Sequence, residues 1–228
     1  WDAVQDWQPA NEQEVLWLHL DRTADGAAEW MHKALPTSEA TIEVLLSNET
    51  RPRVFREGEG LVCVLRGVNF NPGDEPEDMI AMQVWADRSR VVTLRRRRLQ
   101  TPRDVLAHLE ERGDGPKTAG DLVMALSKEL IGKINLAITG MNERIDELEA
   151  DAADTKTDEM LDEIGGIRRT CLAFKRYISP QFDALLALKQ DPPDWMSPEN
   201  RLTVREMLDR LSRYLEDLDV SKESALVL

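Results

Sequence analysis

Residues 126–148 read LSKELIGKINLAITGMNERIDEL, and the apolar side chains in this stretch recur at steps of three and four. They are Leu126, Leu130, Ile134, Ala137, Met141, Ile145 and Leu148. This spacing places them on one face of an α-helix. A helix that runs from Thr118 through this stretch is about 50 Å long at the usual rise per residue. The second half of the chain is therefore predicted to consist of long packed helices.

Two more helices are predicted to follow. One covers residues 158–190 and is kinked by Pro180, and the prolines within 191–194 end it. The next begins at Ser197, which is an N-cap residue followed by a proline at the first helical position. Its apolar seam alternates steps of four and three, so it is expected to pack against neighbouring subunits or against the core of its own subunit. The seam consists of Val204, Leu208, Leu211, Leu215 and Leu218.

The first half of the chain has shorter segments separated by turn residues. Val-, Leu- and Ile-rich runs predict strands, and Ser38 and Pro102 mark helix starts. The strands are expected at 14–20, 53–56, 61–68, 79–86 and 90–94, and the helices at 27–35, 38–46 and 104–111. The predicted fold class is α+β. An α/β domain with a small, mostly antiparallel sheet covers 1–112, and long antiparallel helices cover 113–228.

The chain of 228 residues is strongly acidic, with 29 Lys and Arg against 43 Asp and Glu and a formal net charge of −14. Its 42% of hydrophobic residues is enough for a core, which makes disorder improbable. The negative field disfavours nucleic acid as a partner and attracts cations.

The acidic charge is concentrated in residues 143–163, the predicted tip between the first two long helices. The segment contains ten acidic residues and only two basic ones, Arg144 and Lys156, and it lacks the ligand spacing of an EF-hand. Two interpretations stay open, a solvated tip and a collector of cations. The acids are Glu143, Asp146, Glu147, Glu149, Asp151, Asp154, Asp158, Glu159, Asp162 and Glu163. Further candidate acids on the third long helix are Asp209, Glu216 and Asp217.

Other chemistry is not indicated by the sequence. The histidines His19, His32 and His108 lack the spacing of zinc ligands, and there is no nucleophile elbow or P-loop. We therefore predict no enzyme, no catalytic residue and no cofactor. The distant Cys63 and Cys171 are expected to be free buried thiols in a reducing cytosol. Two interpretations of the arginine run 95–98 are open. It could bind an anion, or its side chains pair with carboxylates, which is the interpretation we favour.

No apolar run approaches the roughly 20 residues that span a bilayer, and no signal peptide is visible. The chain begins at Trp1 instead of Met and stops within an apolar-periodic segment, 224–228. From these ends we expect a fragment of a longer protein.

The organisation resembles the cytoplasmic part of CorA-type transporters and, more narrowly, their ZntB zinc transporter branch. The stretches that carry the likeness are WLHL at 17–20, TRPRV at 50–54, GEG at 58–60, LRGVN at 65–69, EPEDMIAMQVW at 75–85, RR at 168–169, YISPQ at 177–181 and WMS at 195–197. The triplet 140–142, GMN, also matches the pore signature of these channels. It lies within a charged amphipathic helix, so we interpret it as a coincidence.

The resemblance implies a homopentameric funnel on the cytoplasmic side of the bacterial inner membrane. The third long helix would line its passage and continue into two membrane helices beyond residue 228. The transported ion would be Zn²⁺, while Mg²⁺, Co²⁺ and Ni²⁺ suit the visible carboxylates equally. A soluble helical scaffold is the remaining alternative, and it would end in polar sequence instead.

Overall fold

The structure is a computed structural model, and it describes residues 4, 6–11, 14–112, 115–152 and 158–227. The elements confirm the predicted α+β class and lie close to the predicted ranges. The strands are β1 Leu16–Asp21, β2 Arg53–Glu57, β3 Gly60–Gly67, β4 Ile80–Ala86 and β5 Arg90–Arg95. The helices are α1 Ala27–Ala34, α2 Glu39–Leu46, α3 Thr101–Arg112, α4 Ala119–Ala152, α5 Asp158–Gln190 and α6 Pro198–Val227.

The five strands form one sheet in the order β1-β5-β4-β3-β2. Only β1 and β5 run parallel, and the other neighbours are antiparallel. Alternate side chains of a strand point to opposite faces, so each face carries its own apolar set. One face packs on α1 and α2 through Val62, Trp85 and Val92. The other face belongs to a larger apolar core that includes the long helices.

Side-chain caps fix where two helices begin. The Ser38 hydroxyl accepts a hydrogen bond from the Thr41 amide at 3.3 Å, and α2 follows directly. At the start of α6, the Ser197 hydroxyl accepts from the Asn200 amide at 3.1 Å, and the Asn200 side chain accepts from the Ser197 amide at 3.2 Å. These reciprocal bonds satisfy amides that have no partner inside the helix. The predicted helix start at Ser197 and Pro198 is thus confirmed.

The three long helices do not pack as a simple hairpin followed by a separate third helix. The helix α6 lies against both α4 and α5 over most of its length, whereas α4 and α5 contact each other far less. Four seam residues of α6 are buried in the core of the subunit, and Leu215 is partly buried against it. The buried four are Val204, Leu208, Leu211 and Leu218. The seam therefore packs within its own chain in this structure.

The predicted domain boundary falls between residues 112 and 113, and residues 113 and 114 lie outside the described residues. On either side of it, a single apolar core joins the sheet to the long helices, because Leu61 and Met82 belong to the same buried cluster as Leu126, Phe174 and Leu211. The division into 1–112 and 113–228 stays a prediction. The shared core leads us to expect that both halves unfold together.

Cys63 and Cys171 are both free and buried, as expected from the sequence. Burial raises the pKa of the Cys63 thiol to about 12 and that of the Cys171 thiol to about 11. Only the thiolate is an effective nucleophile, so neither group is available for reaction near neutral pH.

A thiol titration checks this burial. Ellman's reagent is expected to label neither cysteine of the native protein at pH 8 and both after denaturation in guanidinium chloride. A Glu43→Cys variant, which places a thiol at an exposed site on α2, should react at once and serves as the positive control. Rapid labelling of one equivalent in the unsubstituted protein would contradict the buried environment.

Candidate functional site

The acidic tip is formed by the last turns of α4 and the first turns of α5. Of its ten acids, Asp154 and the side chain of Asp151 lie outside the described residues, as does Lys156. Seven of the remaining eight are exposed and Glu163 is half-buried. The exposed seven are Glu143, Asp146, Glu147, Glu149, Asp158, Glu159 and Asp162. The two helix ends therefore present carboxylates to solvent on one end of the subunit.

Arg144 joins the two sides of the tip. Its guanidinium donates to Glu147 at 2.5 Å on the same helix and to Glu163 on α5, where Nη2 and Oε2 are 2.7 Å apart. The hydrogen bonds from Arg144 lower the pKa of Glu163. Exposed ion pairs of this kind stabilise a fold only slightly. Their main effect is to neutralise part of the tip, and the other six described carboxylates form no ion pair with a described residue.

The described carboxylates of the tip do not converge on one point. Within the described ranges, no group of three or more His, Cys, Asp or Glu side chains is arranged to hold a metal ion. A bound Ca²⁺ or Zn²⁺ needs several such ligands at close range. The described part of the tip can thus raise the local concentration of hydrated cations through its field, which does not require direct coordination.

The candidate acids of α6 lie on a face of mixed charge. Asp209, Glu216 and Asp217 are all exposed. Glu216 accepts a hydrogen bond from Ser212 at 3.4 Å, and Asp217 lines a surface cavity of about 460 Å³ together with Arg210 and Arg213. The nearby arginines weaken the negative field along this helix. The structure therefore distinguishes α6 from the tip, where acids predominate.

Other residues singled out by sequence have local partners. His19 is a strand histidine whose Nδ1 lies 2.9 Å from the Thr93 hydroxyl, and Nδ1 of His32 lies 3.3 Å from the Glu39 carboxylate. The triplet 140–142 lies inside α4, where Asn142 accepts a hydrogen bond from Ser221 of α6 at 2.5 Å. These contacts give the residues structural roles in the subunit.

Two of the four arginines in the run 95–98 pair with carboxylates, as predicted. The strand β5 ends at Arg95, which pairs with Asp21 at 3.2 Å, and Arg97 pairs with Asp74 at 2.5 Å. Arg96 instead donates to the side-chain oxygen of Asn48 at 2.9 Å. Sequence reasoning did not identify Asn48, because its proximity to Arg96 arises only in the folded chain.

Among the described residues, no helix combines the length and the apolar character required to cross a bilayer.

Comparison with known proteins identifies the family. The profile of the family described as CorA-like Mg2+ transporter protein matches residues 12–228. The divalent cation transporter CmaX of Pseudomonas aeruginosa is 37% identical over 99% of this chain and 68% of its own length. The zinc transport protein ZntB of Pectobacterium atrosepticum is 32% identical over 96% of this chain and 68% of its own length.

Solved structures agree with the sequence match. The structure of full-length CmaX superposes with a TM-score of 0.90 at 35% identity, covering 97% of this chain and 68% of that one. The cytoplasmic domain of ZntB from Vibrio parahaemolyticus gives a TM-score of 0.84 at 21% identity, covering 94% of this chain and 85% of that one, a likeness of fold. The profile match over nearly the whole chain and the identities above 30% show that this protein belongs to the CorA-like Mg2+ transporter family.

Proposed function

We propose that the chain is the cytoplasmic domain of a divalent cation transporter in the bacterial inner membrane, where it concentrates cations and contributes to assembly and gating. The family match supports this role, and so do the names of the relatives, which describe transporters of divalent cations or of zinc. The observation that carries the cation-concentrating part is the exposed, mostly uncompensated set of acids at the α4–α5 tip.

The field of the tip acts over a limited range. Salt screens exposed charges beyond about 8 Å at physiological ionic strength, so one isolated tip attracts cations only nearby. In the homopentamer that the family resemblance implies, five tips would surround a common axis. Repeated rings of charge hold hydrated ions without binding them tightly, and a conduction path needs this property because ions must also leave it.

Zn²⁺ is the first candidate for the transported ion because relatives named as zinc transport proteins match most of the chain. Mg²⁺, Co²⁺ and Ni²⁺ are the alternatives. They suit the described carboxylates of the tip equally, and the name of CmaX specifies only divalent cations. The cation is cargo in this account, and no bound cofactor is involved.

Neutralising the tip should lower transport. We expect the variant Asp146→Asn, Glu149→Gln, Asp158→Asn, Glu159→Gln, Asp162→Asn, in the full-length transporter, to reduce the initial Zn²⁺ flux into proteoliposomes several-fold at low ionic strength. The reduction should shrink as salt is added, since screening already removes the field. All five side chains are exposed, so the fold should be retained.

The control for this variant removes the same charge elsewhere. Asp25, Glu43, Glu111, Asp183 and Asp194 are exposed, lie outside the tip and supply the same number of Asp and Glu residues. Their neutralisation should leave the flux close to that of the parent. Equal flux in the parent, tip variant and control at low salt would identify the tip as a solvated surface without a role in transport.

A further inference from the structure

A strongly basic pocket is present on this acidic protein. It is a cavity of about 140 Å³ between the sheet and the segments that follow β1 and α2. Its wall includes the side chains of Arg22, Arg66, Arg96 and Arg97, and no described residue that lines it is an Asp or Glu. We call this cavity the arginine pocket. Four guanidinium groups around a small space form an environment that selects for anions.

Two of these arginines share one neutral partner. Arg22 and Arg96 both donate to the side-chain oxygen of Asn48, each at 2.9 Å. Burial and the positive charge of Arg96 both lower the pKa of Arg22, and the nearby Asp21 opposes them. Asp21 is itself paired with Arg95. Asn48 and Arg96 are exposed, so water screens part of the repulsion between the two cations, and an anion between them would compensate both more fully than an amide oxygen does.

Arg66 also lacks a carboxylate partner among the described residues. Its guanidinium donates to the Thr50 carbonyl at 3.0 Å, to the Thr50 hydroxyl at 2.5 Å and to the Met79 carbonyl, and it lies 4.5 Å from the centre of the Tyr177 ring. These neutral contacts hold the group in one orientation and leave its charge uncompensated. Arg97 differs, because Asp74 neutralises it. Three positive charges in the pocket therefore remain without a counter-ion in the described part of the chain.

Two residues that line the pocket each carry a buried polar atom without a hydrogen-bond partner among the described residues. The Nε of Arg22 is one, and the side-chain oxygen of Gln83 is another. Gln83 is only 1% exposed, and its nitrogen already donates to the Ser47 carbonyl at 3.2 Å. Buried polar atoms without partners are costly. Both atoms are also shielded from solvent, so a ligand in the cavity meets the other nitrogens of the guanidinium groups, and phosphate accepts hydrogen bonds from several such donors.

A second cavity adjoins the first. It has a volume of about 430 Å³, shares Asn48, Thr50 and Arg66 with the arginine pocket, and adds Arg51, Arg176 and Tyr177. Among the described residues, the exposed Glu49 is the only acidic one that lines it. A ligand larger than free phosphate thus has space for its remaining atoms beside the pocket.

We propose that the arginine pocket binds a phosphate group, either as free phosphate or as part of a larger phosphorylated ligand. Arg22, Arg66 and Arg96 donate hydrogen bonds to the phosphate oxygens. This ligand is distinct from the transported cation, and its binding does not depend on the transport proposed above.

Calorimetry and thermal unfolding of the 228-residue chain test this site. Inorganic phosphate and ATP are the two probes, and sodium chloride keeps the ionic strength constant. Phosphate that binds and raises Tm indicates the free anion, whereas a response to ATP alone indicates the larger ligand. Arg96→Ala should weaken binding at least tenfold. Arg98→Ala is the control, because Arg98 is an exposed neighbour that carries the same charge but does not line the pocket. The affinity of this variant for phosphate should stay within twofold of the parent's.

A second variant gives an answer even if removal of an arginine harms folding. Asn48→Asp places a carboxylate between Arg22 and Arg96, so Tm should rise without ligand and the phosphate response should disappear. The proposal is overturned if neither probe binds the parent, or if Arg96→Ala and Arg98→Ala bind equally. A third outcome also overturns it. If neither the parent nor any variant binds phosphate and Arg96→Ala changes the mass of the oligomer, a neighbouring subunit occupies the pocket.

Discussion

Leu211→Ala is expected to lower the free energy of unfolding by about 3–5 kcal/mol, the range found when a fully buried leucine is truncated. Leu211 is 0% exposed in α6 and lies in the core that α6 forms with α4 and α5. The loss combines the apolar surface no longer buried with the cavity left behind. Unfolding in guanidinium chloride, followed by circular dichroism, measures this change in the free energy of unfolding.

Leu202→Ala is the matched control on the same helix. Leu202 is 55% exposed, so its truncation should change the free energy of unfolding by less than about 0.5 kcal/mol. Light scattering on both variants separates the two roles predicted for the seam. If Leu211→Ala keeps the stability of the parent and lowers only the oligomer mass, the seam contacts neighbouring subunits and the packing described above is wrong.

Trp85→Ala, in the apolar layer between the sheet and α1 and α2, is expected to lower the free energy of unfolding by a similar amount, about 3–5 kcal/mol. Trp85 is 1% exposed in β4 and packs with Trp30 and Met31 of α1. The guanidinium of Arg90 lies 5.3 Å from the centre of its ring, and truncation also removes this cation–π contact. The same unfolding experiment applies, with tryptophan fluorescence as a second probe.

Phe70→Ala is the control for this layer, because Phe70 is an aromatic residue that is 47% exposed. It should have little effect on stability. Trp85→Ala and Leu211→Ala should both shift one common transition, since the larger core joins the sheet to the long helices. Two separate transitions, each shifted by only one of the variants, would show that the halves fold independently.

Local sequence signals were sufficient to predict the elements of this fold. Ser38 and the Ser197–Pro198 pair mark helix starts through hydrogen bonds to residues only three positions away, so their effect is independent of the rest of the chain. The 3.6-residue period of α4 is equally local, and so is the excess of acids at its end. For these reasons the acidic tip was the part of the candidate site that the sequence could identify.

Contacts between distant residues could not be predicted in the same way. A heptad seam indicates that α6 packs, but it does not say whether the partner is α4, α5 or a neighbouring subunit. The arginine pocket illustrates the same limit, because Arg22, Arg66 and Arg96 come from three separate segments that only the folded sheet brings together. In sequence, the run 95–98 was visible as charge, while the neutral partner Asn48 gave no signal.

Cation flux through the full-length transporter tests the central claim most directly. Proteoliposomes that contain it should take up a divalent cation in a saturable manner, Zn²⁺ first among Zn²⁺, Mg²⁺, Co²⁺ and Ni²⁺, well above protein-free vesicles and above uptake of K⁺. Preference for another of these divalent ions would correct the metal and leave the transporter in place. Uptake of all four ions no faster than in protein-free vesicles would contradict the account.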